Sequence, residues 1–306
     1  PPRSTLFPYT TLFRSIFNWR DYKNSLKDIE VEELIDLYFY RLLGYGFVKA
    51  VSWSPITPNQ ITYVGMIFGV LSALSFAGAS LLPAALFLLL ANVMDCADGQ
   101  LARLKKNGTY LGGIVDGFFD YIVGASTLIG ICLCLMLDND PLPILLLTMA
   151  AGFSRAFQNI LVDQRRHFYA KSDSLESVAF VLDEQSLRQH RRQLAGQQGS
   201  LLDKMILRSG LAYIAIQRFG IRMTRVTFND FKMFNDYPDH RSFLLRSWSF
   251  LGSSTHITLA ILAALLNRLE WYLWITLIAG NLYLVMLILT ESFFVHRFNK
   301  VTVEAK

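Results

Sequence analysis

Long apolar runs separated by short polar breaks dominate the chain. Six of them, at about 60–79, 82–101, 113–137, 142–162, 248–267 and 271–294, are each near the roughly 20 residues that a helix needs to cross a bilayer core. The pattern predicts an all-α polytopic membrane protein with six transmembrane helices. Ahead of the first run, residues 29–53 place Leu34, Leu37, Tyr38, Arg41 and Leu42 at helical spacing. That segment reads as an amphipathic helix on the membrane surface rather than a span. Pro55 and Pro58 then break the chain, with Thr57 as helix cap and Pro58 at the first helical position. Between the fourth and fifth runs, residues 163–247 are polar, and Gly196 to Ser200 divides them into two helical stretches near 174–195 and 200–219. The expected organisation is therefore an N-terminal region 16–55, spans one to four in 56–162, a helical insertion 163–247, and spans five and six with a tail in 248–306. Thr5 to Ser15 reads TLFPYTTLFRS, one translation frame of a common sequencing-adapter oligonucleotide. Residues 1–15 are accordingly expected to be a scar and are left out of fold reasoning.

Composition agrees with the pattern: 53% of residues are hydrophobic and mean hydropathy is +0.34. Charge adds an orientation. The intervals 80–81, 138–141 and 268–270 face one side and hold only Arg268 of the 29 Lys and Arg. The positive-inside rule then puts both termini and the 163–247 insertion in the cytoplasm. The expected location is a cytoplasmic (bacterial inner) membrane. A net charge of +5 is explained by topology and anionic headgroups, so no nucleic-acid partner is implied. Three cysteines do not make a disulfide framework.

Against this apolar background the acids stand out. Asp95, Asp98, Gly99 and Ala102 fall on one stripe of one helix, and Gly112, Asp116 and Asp120 fall on one stripe of the next. A carboxylate near the middle of a span costs roughly 2.5–3.5 kcal/mol, so such acids are functional by default. Oxygen-only side chains on facing helices suit hard cations such as Mg²⁺ or Mn²⁺. Ion pathways use intramembrane acids too, and a divalent-cation transporter is the alternative class. A transporter would not require Ala102, Arg103 and two glycines at fixed spacing.

The full pattern, Asp95-x-x-Asp98-Gly99-x-x-Ala102-Arg103-x₈-Gly112-x-x-x-Asp116-x-x-x-Asp120, resembles the signature of the CDP-alcohol phosphotransferases. The resemblance implies transfer of a substituted phosphate from a CDP-linked donor, most simply CDP-diacylglycerol, to an alcohol with CMP leaving. It implies a pair of Mg²⁺ or Mn²⁺ ions on Asp95, Asp98, Asp116 and Asp120, with Asp120 also the base for the acceptor hydroxyl. Arg103 would meet the donor diphosphate, while Gly99, Ala102 and Gly112 would let the cytidine approach and Asp95 would serve metal and donor together. The resemblance also implies lipid contacts and admits a homodimer. A CDP-polyol donor with a phosphorylated polyol acceptor, as in the inositol-phosphate branch, remains open.

Other positions carry two readings each. Asn59, in the Thr57-Pro58-Asn59 opening, serves either a capping turn alone or the donor as well. Arg155 either snorkels to the headgroups or binds the acceptor, and His256 either packs between helices or reaches the acceptor. Asn281, halfway along the sixth run, is expected to bond between helices. The 163–247 segment is read as a solvated insertion in preference to a lid.

Overall fold

The computed structural model describes residues 19–27, 29–106, 110–170 and 237–304; within these, the side chains of 110–118, 167–170 and 299–304 are outside the description. Every described element is helical. A short α1 (Trp19–Ser25) precedes a helical run whose first turn, Asp36–Tyr40, is π-wound and which continues as α2 (Arg41–Val51). The bundle follows with α3 (Pro58–Ala77), α4 (Leu81–Lys105), α5 (Tyr110–Leu135) and α6 (Pro141–Ala170). After residue 237 come α7 (Pro238–Ser249), α8 (Ser253–Leu265), α9 (Leu269–Trp274) and α10 (Gly280–Glu304), the last two joined by a π turn at Ile275–Ala279.

Five stretches are long and apolar enough to cross a membrane: Pro58–Ala77, Leu81–Lys105, Pro141–Arg166, Pro238–Leu265 and Leu269–Phe298. The predicted third span corresponds to α5, whose described apolar part, Phe119–Leu135, is shorter than those five. The chain is thus a helical integral membrane protein with five such stretches among the described residues, one fewer than the predicted six.

Local sequence sets the helix ends. Thr57 accepts from the Gln60 amide at 3.4 Å while the Gln60 side chain accepts from the Thr57 amide at 3.0 Å, a reciprocal capping box with Pro58 just inside it. Helices α3, α4 and α8 stop where Ala79, Lys106 and Asn267 turn left-handed. Small residues then let helices approach: a Cβ on Gly130 would overlap the Ala73 carbonyl, and one on Gly69 would overlap Val123. The resulting core joins Phe76, Leu88, Ile131, Ala151, Ala260 and Tyr272 from six helices.

Two sequence expectations change here. The N-terminal helical run is amphipathic in an inverted sense. Tyr38, Phe39, Leu42 and Leu43 are exposed, whereas Glu32, Glu33, Asp36 and Arg41 are buried. The apolar side faces where lipid would lie, and the charges turn inward onto α4 and α8. The boundaries at 162 and 248 also move, because α6 continues to Ala170 and α7 begins at Pro238. Leu244 and Trp248 of α7 pack with Leu161, Leu284 and Leu287 in one cluster, so these ends belong to the bundle. The remainder of the insertion, including 174–195, 200–219 and Gly196 to Ser200, lies outside the described residues, as do residues 1–18 with the adapter-like segment.

Asn281 bonds between helices as expected. Its amide donates to Ser154 Oγ at 2.8 Å, and its oxygen accepts from Gln158 Nε2 at 3.1 Å. Gln158 also donates to the Thr276 carbonyl at 3.2 Å, within the π turn that a wider winding leaves open. Gly280 makes the space, since a Cβ there would sit 2.7 Å from Gln158 Nε2.

Candidate active site

Helix α4 is long enough to carry an apolar first half and an acidic second half through one continuous hydrogen-bond ladder. Spacing of three residues brings Asn92, Asp95 and Asp98 to the side that meets α3 and α5. A groove opens there, lined by Thr62, Gly65, Asn92, Asp95, Phe119, Asp120, Val123 and Ile257. Gly65 is where α3 and α4 nearly touch: a Cβ would lie 3.2 Å from Met94 Cβ. That contact sets the groove's narrow wall.

Asp95 and Asp120 line this groove from facing helices, as the stripes predicted. Asp98 is buried behind Asp95, where the Thr62 hydroxyl donates to its Oδ2 at 2.5 Å. No Lys or Arg pairs with Asp95, Asp98 or Asp120 among the described residues. Gly112 and Asp116 lie on the same helix as Asp120, but their side chains are outside the described residues. Without Asp116, no three acids, histidines or cysteines among the described residues already converge at metal-ligand spacing. The donor set still fits a divalent cation on its chemistry. It consists of carboxylates with no cationic partner, and burying such groups uncompensated is costly.

Arg103 folds back along its own helix. Its guanidinium covers the face of Gly99, where a Cβ would come within 3.3 Å of Nη2. The space at Gly99 therefore holds Arg103 in this structure, rather than standing open. Ala102 is half-buried on the same turn, and Asn59 is exposed at the start of α3, outside the groove lining.

The two acceptor candidates are both buried. Arg155 lies halfway along α6, 8% exposed, so it does not snorkel. Its Nη1 donates to the Tyr272 hydroxyl at 3.3 Å, and its guanidinium lies against Gly124, one turn below Asp120 on α5. His256 is 3% exposed, and neither ring nitrogen has a partner among the described residues. Two residues earlier on the same helix, Ser254 accepts from Asn92 Nδ2 at 3.4 Å. Sequence reasoning missed Asn92 and Asn159. Asn92 extends the Asp95 stripe by three residues, a signal that was available. Asn159, with a buried unpartnered oxygen, is one turn from Arg155 and has no comparable signature.

Carboxylates without an ion-pair partner among the described residues face one another across two helices of a membrane protein. Residues 55–176 match the model of the CDP-alcohol phosphatidyltransferase family. Members of the family are generally dependent on divalent metal. Over 85 residues the chain is 35% identical to archaetidylinositol phosphate synthase of Pyrococcus horikoshii, covering 28% of this chain and 45% of that protein. Over 73 residues it is 40% identical to the bifunctional IPC transferase and DIPP synthase of Thermococcus kodakarensis, covering 24% of this chain and 17% of that protein. The chain spans less than half the length of these curated relatives.

Proposed function

We propose that the protein transfers a substituted phosphate from a CDP-linked donor, CDP-diacylglycerol in the simplest case, to an alcohol, releasing CMP. The observation that carries this reading is the set of unpaired carboxylates across α4 and α5 inside the family domain. Asp95, Asp98, Asp116 and Asp120 would hold two Mg²⁺ or Mn²⁺ ions, which supply charge neutralisation at the diphosphate. Thr62 donates to Asp98 Oδ2 and so orients that carboxylate as a ligand. The acceptor oxygen attacks the phosphorus that bears the donor alcohol, and the bond from that phosphorus to the CMP oxygen breaks. Asp120 takes the hydroxyl proton, and CMP departs with the electron pair. Arg103 binds the diphosphate; Gly99, Ala102, Gly112 and Asn59 border the donor. Basic residues concentrated on one side support a cytoplasmic groove, where nucleotide-linked donors are found.

A specific observation favours a phosphorylated acceptor. Arg155 is a guanidinium buried halfway along a span, with one neutral hydroxyl partner and no carboxylate among the described residues. An uncompensated buried cation calls for an anion. The names of both relatives fit this branch, and His256 and Asn159 would read hydroxyls beside that phosphate.

The test is CMP release by purified protein from CDP-diacylglycerol, with a panel of free and phosphorylated alcohols. Activity should vanish with EDTA and return with Mn²⁺ or Mg²⁺. In oriented vesicles only donor on the cytoplasmic face should be consumed. Metal flux into vesicles without nucleotide, and no CMP release, would make the protein a transporter instead.

A further inference from the structure

Arg103 is held by a part of the chain remote from the family domain. Its Nε donates to the carbonyl of Ser25, 78 residues earlier, at 2.5 Å. A carbonyl orients a guanidinium without neutralising it, and no carboxylate pairs with Arg103 among the described residues. Its Nη2 is buried and unpartnered. The residue that fixes Ser25 is Gln100, fully buried on α4, one turn from Arg103 and also one turn from Cys96. Gln100 Nε2 donates to Ser25 Oγ at 3.1 Å and to the Arg41 carbonyl at 3.1 Å. Tyr22 anchors the same segment by donating its hydroxyl to the Leu37 carbonyl at 2.6 Å.

Resting on the reading of Arg103 as the diphosphate ligand, the geometry points to α1 as an orienting wall of the donor site, with Gln100 as a positioning residue. Three features combine in it. The Ser25 carbonyl takes the Nε–H and leaves the Nη1–Nη2 end of the guanidinium for a phosphate. The side chain lies over the open face of Gly99. The charge is left whole for an anion. Gln100 sits behind these and sets where the Ser25 carbonyl lies, so it acts on the donor only through Arg103.

A double-mutant cycle on CMP affinity, measured with Mg²⁺ in detergent, tests this. Gln100→Ala should weaken CMP about tenfold in the wild-type background and by less than about twofold in the Arg103→Ala background, since contacts acting through one another are non-additive. Tyr22→Phe, which deletes a single hydroxyl, should move affinity the same way by about threefold and lose that effect with Arg103→Ala. Equal losses in both backgrounds would mean that Gln100 and Tyr22 support the fold only, and would overturn the inference while leaving the donor reading intact. If Arg103→Ala alone leaves CMP affinity unchanged, both the donor assignment and the wall fall. Should Gln100→Ala fail to fold, Tyr22→Phe decides.

Discussion

Two clusters of acids lie within this small bundle, and they are treated oppositely. Around the N-terminal helical run, the buried carboxylates have partners. Glu32 meets Arg41 Nε at 2.8 Å, and Glu33 meets Arg166 at 3.0 Å while accepting from the Thr255 amide at 3.2 Å. Burial opposes ionisation of Glu32, yet Arg41 and Lys27 hold its carboxyl below the usual range. At the groove, Asp95 and Asp120 in its lining and Asp98 beside Thr62 make no ion pair with a Lys or Arg among the described residues. Both clusters bear the desolvation cost of buried charge. Only the first offsets it with its own residues; the second leaves the offset to whatever binds. The contrast, more than the count of acids, separates a structural knot from a site.

The largest break in that contrast should come from the groove. Asp120→Asn keeps size and one oxygen but removes the basicity needed to take a proton, a function worth about 10²–10⁴ in rate. Turnover should fall by that order while CMP-dependent thermal stabilisation survives, at saturating metal. Asp95→Asn should lose both, because donor and metal would meet there. Near wild-type turnover in Asp120→Asn would remove it as proton acceptor. Loss of CMP stabilisation as complete as in Asp95→Asn would make it a ligand first. Neither variant should lower the melting temperature of the ligand-free protein, since unpaired charge is being removed.

The knot should answer in the other observable. Glu33→Gln leaves Arg166 without its carboxylate and takes the charge from the start of α8, where a negative group is favoured. Breaking a buried pair from one side costs about 3–5 kcal/mol. The melting temperature should drop by several degrees, with CMP release per folded molecule changed little. A variant as stable as wild type would show that the pair contributes nothing net. The space around it leaves little room for repair, because Glu33 occupies the position a Cβ of Gly252 would need.

How much of this could be read beforehand follows from distance along the chain. The groove acids were legible because Asp95 and Asp98, and Asp116 and Asp120, share helices. Three- and four-residue spacing alone puts each set on one face. The Thr57 cap was legible for the same reason, being a contact across three residues. Sequence spacing assigned no role to Glu32, Glu33 and Asp36. Their burial depends on Thr255, 222 residues from Glu33, and on Arg166 at the far end of α6. The headgroup reading of Arg155, one of the two that the sequence left open, arose because the fourth span was ended at 162. The helix runs to Ala170, since Leu161 and Val162 find partners in α7 and α10 that periodicity does not reveal.

The smallest expected effect lies where the knot is least settled. Asp36 is buried beside Glu33, with Arg41, Glu32, the Ser254 hydroxyl and Cys96 as its other neighbours. Burial first, and then the Glu33 charge, push its carboxyl up to about 7. Raised affinity for a proton in the folded state sets the sign. Below the ordinary carboxylate range both folded and unfolded chains carry the proton, and Asp36 costs nothing by its charge. Between about pH 4 and 7 the unfolded chain ionises while the folded one does not, so stability falls as pH rises. Above about 7 the loss is complete. Asp36→Asn retains an acceptor for Ser254 and has no charge to bury. Its melting temperature relative to wild type should therefore climb from pH 5 to 7 and level off by pH 8, with the variant the more stable of the two there. A difference that stays flat across this range would mean Asp36 is ionised throughout, paired by Arg41 as firmly as Glu32 is. The knot would then contain no weak member, and its contrast with the groove would be sharper than the structure draws it.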